Sequence, residues 1–380
     1  MAQTLALVAL SARMLAESAR RGGFDCIALD LFGDRDTRRA ARAWMRIGNP
    51  GALRLDAAAA IAALRSLGSC AGWIAGGGTE GVLSELDANA RPLPLIGNGP
   101  EVVRALRAPR SFFAALASLG VAHPETRCER PADTAGWLSK DLHGSGGLHI
   151  HAATSRDFGQ DGPGRYFQRI CVGTPMSALV VATGNDARIV GFNELIVERH
   201  GELPFVYRGA VGPVALSPGA RRTLTEAVHA VVGHFDLVGL NSIDFLLDGD
   251  VARILEVNPR PSATMALYDD RWPAGLVAAH VDASVRRKIT SAVAEASGAD
   301  EVRGCLVVYA DRAVRCREDT GARMLASGWA HDVPSDDAPI PSGAPVCTVS
   351  ATGRDSRDVR ATLSFRAASI LRDLAECSAP

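Results

Sequence analysis

The chain has almost no lysine. Of its 41 basic residues only Lys140 and Lys288 are lysines, and the rest are arginines. Where so biased a composition keeps a lysine, the position is a candidate for a compact ammonium rather than a planar guanidinium fork. Lys140 has the neighbours to justify that reading, whereas Lys288 reads as part of a polar helix face. Paired cysteine motifs are also missing. The eight cysteines are scattered with no C-x-x-C, which argues against a zinc knuckle or a disulfide scaffold and fits a reducing cytoplasm. No positive surplus exists, since 42 acidic residues leave a formal charge of -1, so a nucleic-acid partner is not expected. No apolar run approaches the ~20 residues of a bilayer span, so no membrane partner is expected either. The short apolar start, Leu5 to Ala12, has no positive charge before it and Arg13 directly after it. It reads as a buried first strand rather than a signal peptide. What remains is an ordinary globular composition, 47% hydrophobic and 22% charged. At roughly 150 residues per domain, it suits two to three domains.

The first hundred residues alternate strand and helix signals. Strands are expected at Leu5–Leu10, Cys26–Leu29, Gly72–Ala75 and Pro94–Ile96, with helices at Ser11–Arg21 (opened by a Ser cap), Ala57–Leu67 and Thr79–Asp87. Such alternation implies a parallel sheet with ligands beyond the carboxyl ends of its strands. From Gly136 to Asn258 the pattern turns to β-rich runs broken by Gly, Asn, Asp and Pro, with one helix at Pro218–Phe235. Helices return from Pro273 to Ala296, and the tail reads as strands with a closing helix at Ser356–Leu374. The fold class is thus α/β, with an α+β central part.

Two constellations carry chemistry. The first is Asp244 followed by Glu256-Val257-Asn258-Pro259-Arg260, with Gly249-Asp250 as a hairpin tip. A three-residue loop there makes paired position sums even. It places Asp244, Glu256 and Asn258 on one face and Ile243, Phe245, Leu247, Leu255 and Val257 on the buried one. Three oxygen donors suit magnesium, and Arg260 can clamp an anion. The competing reading is a solvated antiparallel face with a polar turn. The second constellation is Lys140-Asp-Leu-His-Gly144-Ser145-Gly146-Gly147, a strand ending in lysine and running into a glycine loop. Backbone N–H groups of such a loop can approach phosphate while lysine supplies a point charge. It is not a Walker A loop, and by itself it is equally an ordinary flexible hairpin.

Together these motifs resemble the ATP-grasp superfamily. The resemblance spans most of the chain and is weakest after Pro273. It implies a Rossmann-like domain over residues 1–105 and a nucleotide-binding and catalytic region over 106–272. That region would combine a glycine-loop subdomain with an antiparallel-sheet catalytic subdomain. A helical linker and small C-terminal α+β domain would fill 273–380. Carried over by position, it implies that Lys140 contacts nucleotide phosphates and that Gly144, Ser145, Gly146 and Gly147 fold over them. Gln168, Arg169, Ile170 and Val172 would hold adenine and ribose, with Leu246 against the ring. Gln168 stands where many relatives keep an acid. Asp244, Glu256 and Asn258 would hold magnesium (two ions in the family pattern), and Arg260 would stabilise the transferring phosphate. Relatives usually place a further nucleotide-binding lysine early in this region; here only Arg107 and Arg110 are available. The implied chemistry is ATP-dependent formation of an acyl phosphate from a carboxylate, then its capture by an amine. No serine or cysteine nucleophile is needed.

Several further residues are expected near small-molecule substrates. Arg13 and Ser11 follow the first strand, and Asp30, Asp34 and Asp36 follow the second, as loop and cap residues or as contacts for an amine. Gly76-Gly-Gly78-Thr-Glu-Gly81 formally fits a dinucleotide loop but follows a later strand, with no acid closing the next one. It reads as a substrate-facing loop with Glu80 near an amine, or as plain turn chemistry. His149 is a candidate for substrate or phosphate. Tyr207 and Arg208 are candidates to line the acceptor site. Asp157-Phe158-Gly159 lacks every other kinase element. Finer resemblance in Ala9–Arg13, Asp30–Asp36, Leu95–Glu101 and Pro345–Val349 is to an ATP-grasp branch of methanopterin- and methanofuran-linked one-carbon metabolism. It implies a ligase joining glutamate to tyrosine or a tyramine-like amine in methylofuran biosynthesis. The alternatives are another peptide or polyglutamate ligase, or a nucleotide-binding regulatory protein without turnover. A homo-oligomer is compatible with the sequence.

Overall fold

The computed structural model describes residues 3–142, 144–154, 164–289, 296 and 301–376. His143 and the Asp157-Phe158-Gly159 triplet lie outside the described residues. Near the N-terminus five strands form a parallel sheet in the spatial order Ala43–Arg46, Asp25–Asp30, Thr4–Val8, Gly72–Ala75, Leu95–Ile96. Thr4–Val8 is buried throughout, as a central strand covered on both faces must be. Strand order reverses beside it, so the carboxyl ends of Thr4–Val8 and Gly72–Ala75 bound a crevice. The first helix is Arg13–Arg21, beginning after Ala12 rather than at Ser11. Ser11 does not cap it, because its hydroxyl donates to Asp332 at 2.9 Å, a partner far away in sequence. Lys288 lies beyond the helix Gly275–Val285, which ends earlier than its apolar pattern suggests.

The central region is built on an eight-stranded sheet whose ladders are all antiparallel. Its long strands are Thr174–Thr183, Ala187–His200 and Leu203–Gly212, with the carboxylate hairpin Val238–Asp248 and Val251–Asn258 at one edge. The strand Val302–Tyr309 pairs with Leu203–Gly212, so the same sheet continues into Pro345–Gly353 and Ala330–His331. The helix Ser356–Glu376 covers that end through Val359, Leu363, Ile370 and Leu374. The helix Pro218–Phe235 occupies the span expected from its spacing, with the Ser217 hydroxyl accepting from Ala220 N at 3.0 Å. A separate four-stranded antiparallel sheet carries Trp137–Asp141 between Ile150–Ala152 and Arg165–Arg169.

The carboxylate hairpin corrects the expected register. Asp248 pairs with Val251, so the turn is only two residues, Gly249 and Asp250. Paired sums are odd near the tip, and Phe245 faces Ile254. A bulge then shifts the ladder by one residue, and Asp244 faces Glu256. Leu255 is the extra residue of the bulge and is only half-buried, while Ile254 and Ala252 take the core positions. Leu247 is half-buried as well and packs on the rim of that core. The bulge therefore restores the shared face of the two carboxylates that the shorter turn would otherwise separate.

One apolar layer runs from Leu5, Leu7 and Ala16 through Leu179, Val181 and Leu240 to Tyr268 and Leu276, fusing the parallel sheet to the central one. Two buried polar side chains complete that junction. The Asn98 amide donates to Val238 O, Asn241 Oδ1 and Pro259 O at 2.9–3.0 Å, and its oxygen accepts from Val238 N. His280 accepts from Leu240 N at 2.9 Å through Nδ1 and donates from Nε2 to Ile96 O at 3.0 Å. Among the described residues no helix is long and apolar enough to cross a membrane.

Burial pushes His280 down to about 4, against the hydrogen bond to Ile96, so the folded chain keeps it neutral at pH 5–6 while the unfolded chain protonates it. Its contribution to stability is fully present above the ordinary histidine range and is lost as pH falls toward 4. In His280→Gln the acid loss of stability should be shallower, by up to about 1.4 kcal/mol per pH unit across that window. Urea titrations at pH 7, 6 and 5 give both slopes, and equal slopes would acquit His280.

Candidate active site

The site begins at the carboxylate hairpin. Asp244 and Glu256 sit opposite each other on adjacent strands, and Asn258 follows two residues later on the same face. The Asn258 amide nitrogen donates to Asp244 Oδ2 at 3.1 Å and to Glu256 Oε1 at 3.3 Å. Burial and the Glu256 charge push Asp244 well above the carboxylate range. Burial opposes the charge of Glu256 too, but Arg107 and Lys140 outweigh it and draw that carboxyl down to about 2. A buried carboxylate pair of this kind carries more negative charge than it can hold alone, which is the condition a divalent cation relieves. The amide of Asn258 offers N–H to carboxylates or, turned over, oxygen to a cation. Among the described residues no group of three or more His, Cys, Asp or Glu gathers as a metal site. The side-chain oxygens gathered at this hairpin are those of two carboxylates and one amide.

Three cations face this wall. Lys140 is buried on its strand and donates from Nζ to Gln168 Oε1 at 2.6 Å. Burial lowers its pKa, against the pull of Glu256 and Asp244. Since Gln168 is neutral, the ammonium is positioned without being cancelled by that partner. Arg260 donates from Nε to Glu80 Oε1 at 2.7 Å and from Nη2 to Asn258 Oδ1 at 3.3 Å. Arg107 reaches Glu80 and Asn258 at 3.4 and 3.5 Å and Gly144 O at 3.2 Å. Of the two arginines open on sequence grounds, the structure thus brings in Arg107. Arg110 is exposed and pairs with Glu129. Only tertiary placement, which sets Arg107 beside Asn258 and Arg110 beside Glu129, decides between residues three apart.

Glu80 is not presented to an amine. Its side chain is only 3% exposed and lies between Arg260 and Arg107, while Gly78 N donates to its other oxygen at 2.9 Å. Burial alone would raise its pKa, but the two guanidiniums reverse the sign. The Gly76–Gly81 turn is therefore where the parallel sheet reaches the catalytic wall.

The glycine loop lies across the same cleft. Tyr207 N donates to Gly146 O at 2.9 Å. Gly147 has φ +76, and a Cβ there would stand 1.7 Å from Phe205 O, so only glycine permits this approach. Ser145 is half-buried within the loop, and Leu148 N donates to its carbonyl. The His149 ring packs under Gly144 with a buried Nδ1 that has no hydrogen-bond partner. Burial pulls this histidine down to about 4, so it is neutral beside Glu256 and Lys140. At the mouth, Ile170 and Val172 are exposed, and Leu246 is half-buried against Gly173. The Arg169 side chain turns away and stacks on Trp137 at 5.5 Å.

Two residues expected near substrates, Arg13 at a carboxylate or phosphate and Arg208 at the acceptor, are held by other groups. Arg13 is buried and committed to Asp332 at 2.9 Å and Glu17 at 2.7 Å. Arg208 stacks on Tyr309 at 4.6 Å and donates to Val307 O. Its neighbour Tyr207 points the other way along the pleat. There it is buried beside the Cys305 thiol and within the field of Asp244 and Arg260.

Residues 110–264 match a family model described as an ATP-grasp domain. An uncharacterized protein of Methanocaldococcus jannaschii is 23% identical over 267 residues, 67% of this chain and 63% of that protein, so the match spans less than two thirds of its length. The chain resembles biotin carboxylase from Campylobacter jejuni, solved with β,γ-ATP (TM-score 0.72, 12% identity, 95% of this chain and 90% of that one). It also resembles an L-amino acid ligase from Bacillus licheniformis (TM-score 0.70, 12% identity, 98% and 97% covered). A third neighbour is the N5-carboxyaminoimidazole synthase of Aspergillus clavatus, solved with ADP and 5-aminoimidazole ribonucleotide (TM-score 0.68, 15% identity, 98% and 99% covered). The chain has the ATP-grasp fold.

Glu80→Gln removes the anion shared by two buried guanidiniums and should destabilise the protein by about 3 kcal/mol. The measurement is the urea midpoint at constant m-value. A loss below about 0.5 kcal/mol, the range of neutral surface changes, would mean that solvent rather than Glu80 balances Arg107 and Arg260.

Proposed function

We propose that the protein is an ATP-dependent ligase that joins a carboxylate to an amine through an acyl phosphate. The observation that carries this reading is the cleft itself. Lys140, Arg107 and Arg260 face Asp244, Glu256 and Asn258 beneath a glycine loop, in the fold that the three solved neighbours share. Lys140 and Arg107 hold nucleotide phosphates, and Arg107 stands in for the lysine that the family pattern expects. Gly144, Ser145, Gly146 and Gly147 exclude water above them. Ile170, Val172 and Leu246 bracket the adenine. Asp244, Glu256 and Asn258 are the residues that would hold magnesium, which supplies charge neutralisation to the triphosphate. Arg260, oriented by Glu80, meets the reacting oxyanion.

The chemistry follows from positioning and charge. A substrate carboxylate oxygen bonds to the terminal phosphorus, and the bond from that phosphorus to the ADP oxygen breaks. An amine nitrogen then bonds to the acyl carbon and loses a proton, phosphate departs, and an amide remains. Motif resemblance supports glutamate as the carboxylate and tyrosine or a tyramine-like amine as the acceptor, within methylofuran-type carrier synthesis. A different amino-acid or polyglutamate ligase is the nearest alternative. A regulatory nucleotide binder is disfavoured by the retention of both carboxylates, since binding alone has less need of every metal-holding group.

ADP formation should require magnesium and both substrates, and should be detected with glutamate and tyrosine or tyramine within a panel of acids and amines. Turnover with other pairs only would assign a different ligase. ATP binding without turnover across the panel would favour the regulatory reading. Glu256→Gln should remain folded by circular dichroism and lose on the order of 100-fold or more in rate. Near-normal turnover would remove Glu256 from the site.

A second comparison separates the two arginines. Arg107→Ala should raise KM for ATP by roughly tenfold, as expected for loss of a charge-assisted contact. Arg110→Ala should change it by less than about twofold. The reverse order would reassign the second phosphate cation.

A further inference from the structure

The carboxyl ends of the first two parallel strands hold a second charged group. Asp30 accepts from Ala12 N, Phe32 N, Gly33 N and Trp44 Nε1, at 2.6–3.1 Å. Asp36 accepts from the backbone of Asp332, Val333 and Thr37 at 2.6–3.2 Å. Asp332 takes Arg13 and the Ser11 hydroxyl. Every one of these carboxylates is spoken for. Asp34 is the exception. It is only 6% exposed, it occupies the N-cap position of helix Arg35–Ala40 without capping it, and its carboxylate accepts no hydrogen bond from any described residue. In the first turn of the same helix the Thr37 hydroxyl is fully buried and likewise has no partner. The guanidinium whose charge acts on this group, that of Arg13, is already committed to Asp332 and Glu17. Burial and the charges of Asp332, Asp30 and Asp36 push the Asp34 carboxyl far above its usual range.

We propose that Asp34 is the anchor for a substrate ammonium group, with Asp36 and Asp332 supplying the surrounding negative field. An organic ammonium brings both things this carboxylate and the Thr37 hydroxyl lack, a positive charge and N–H donors. A metal ion does not suit it, because these oxygens do not gather as a ligand set. The location agrees with the rule for open parallel sheets, where ligands sit beyond the carboxyl ends of the strands. It also lies toward the catalytic wall. Arg13 and Asp332 act on the Cys305 thiol, Cys305 adjoins Tyr207, and Tyr207 lies in the field of Asp244 and Arg260.

An ammonium held among carboxylates keeps its proton and has no lone pair with which to attack. The anchored nitrogen is therefore not the nucleophile of the ligase reaction. An amino acid whose carboxylate is activated carries such a non-reacting nitrogen, and that donor is the one this anchor selects. This assignment rests on the ligase reading for its role in turnover, but not for the binding event itself.

Calorimetry on the full chain tests it with paired probes: L-glutamate against glutarate, L-aspartate against succinate and L-alanine against propionate. Each pair differs by the ammonium alone. At least one amino acid should bind wild type tenfold or more tighter than its deamino partner, and Asp34→Asn should erase that preference. Melting of the variant at or above the wild-type temperature would show that it folds, since a neutral isostere relieves repulsion. Equal binding of all pairs, a preference that survives in Asp34→Asn, or no binding of any amino acid overturns the proposal. ADP formation is scored separately. An Asp34-dependent preference without turnover keeps the anchor and discards the ligase, whereas turnover with no ammonium preference does the opposite.

Discussion

The structure depends on a confrontation of buried charges. Lys140, Arg107 and Arg260 stand on one side, Asp244, Glu256 and Glu80 on the other, with neutral Gln168 and Asn258 between them as hydrogen-bonding spacers. In a cleft this sheltered each charge is costly by itself and tolerable only beside its opposite. The arrangement does not cancel locally. Lys140 leans on an amide rather than an acid, and Asp244 has Glu256 as its direct strand neighbour. The cleft thus keeps a cationic wall and an anionic wall.

Holding such a cleft open to ligands and closed to water requires a rigid frame from distant parts of the chain. The apolar layer shared by the parallel and central sheets provides it. Asn98 and His280 fix the junction by satisfying backbone groups that packing alone would leave orphaned. Glu80 then carries the parallel sheet into the catalytic wall. The glycine loop is seated by backbone contacts to the strand Leu203–Gly212, which also pairs with the C-terminal strands. The C-terminal segment in turn supplies Asp332, the partner of Arg13 and Ser11. A single strand thereby links the glycine loop to the segment that holds Arg13.

Much of this was legible in one dimension because it rests on local pattern. The βα alternation, the span of Pro218–Phe235 and the pairing of Asp244 with Glu256 follow from periodicity and turn residues. The turn between those strands was less legible. A two-residue turn and a bulge at Leu255 reach the same face as a three-residue loop, and the hydrophobic pattern fits either. Arg13, Glu80 and Arg208 show the opposite limit. Each sits where a substrate contact is plausible, yet each is bound to a group that no spacing rule reveals: Asp332, Arg260 and Tyr309. The unpartnered Asp34 could not be told from its neighbours Asp30 and Asp36 by sequence, because all three are loop acids.

The sequence by itself determined the fold class, the strand carrying Lys140 and the hairpin carrying the carboxylates, since side-chain period and glycine placement act over a few residues. The tertiary structure decided which arginine completes the cationic wall, which acid is shared between guanidiniums and which acid lacks a partner. Those outcomes depend on burial and on contacts across 150 to 300 positions. The energy of an ionic contact is set by distance and dielectric, neither of which is written in the order of the residues.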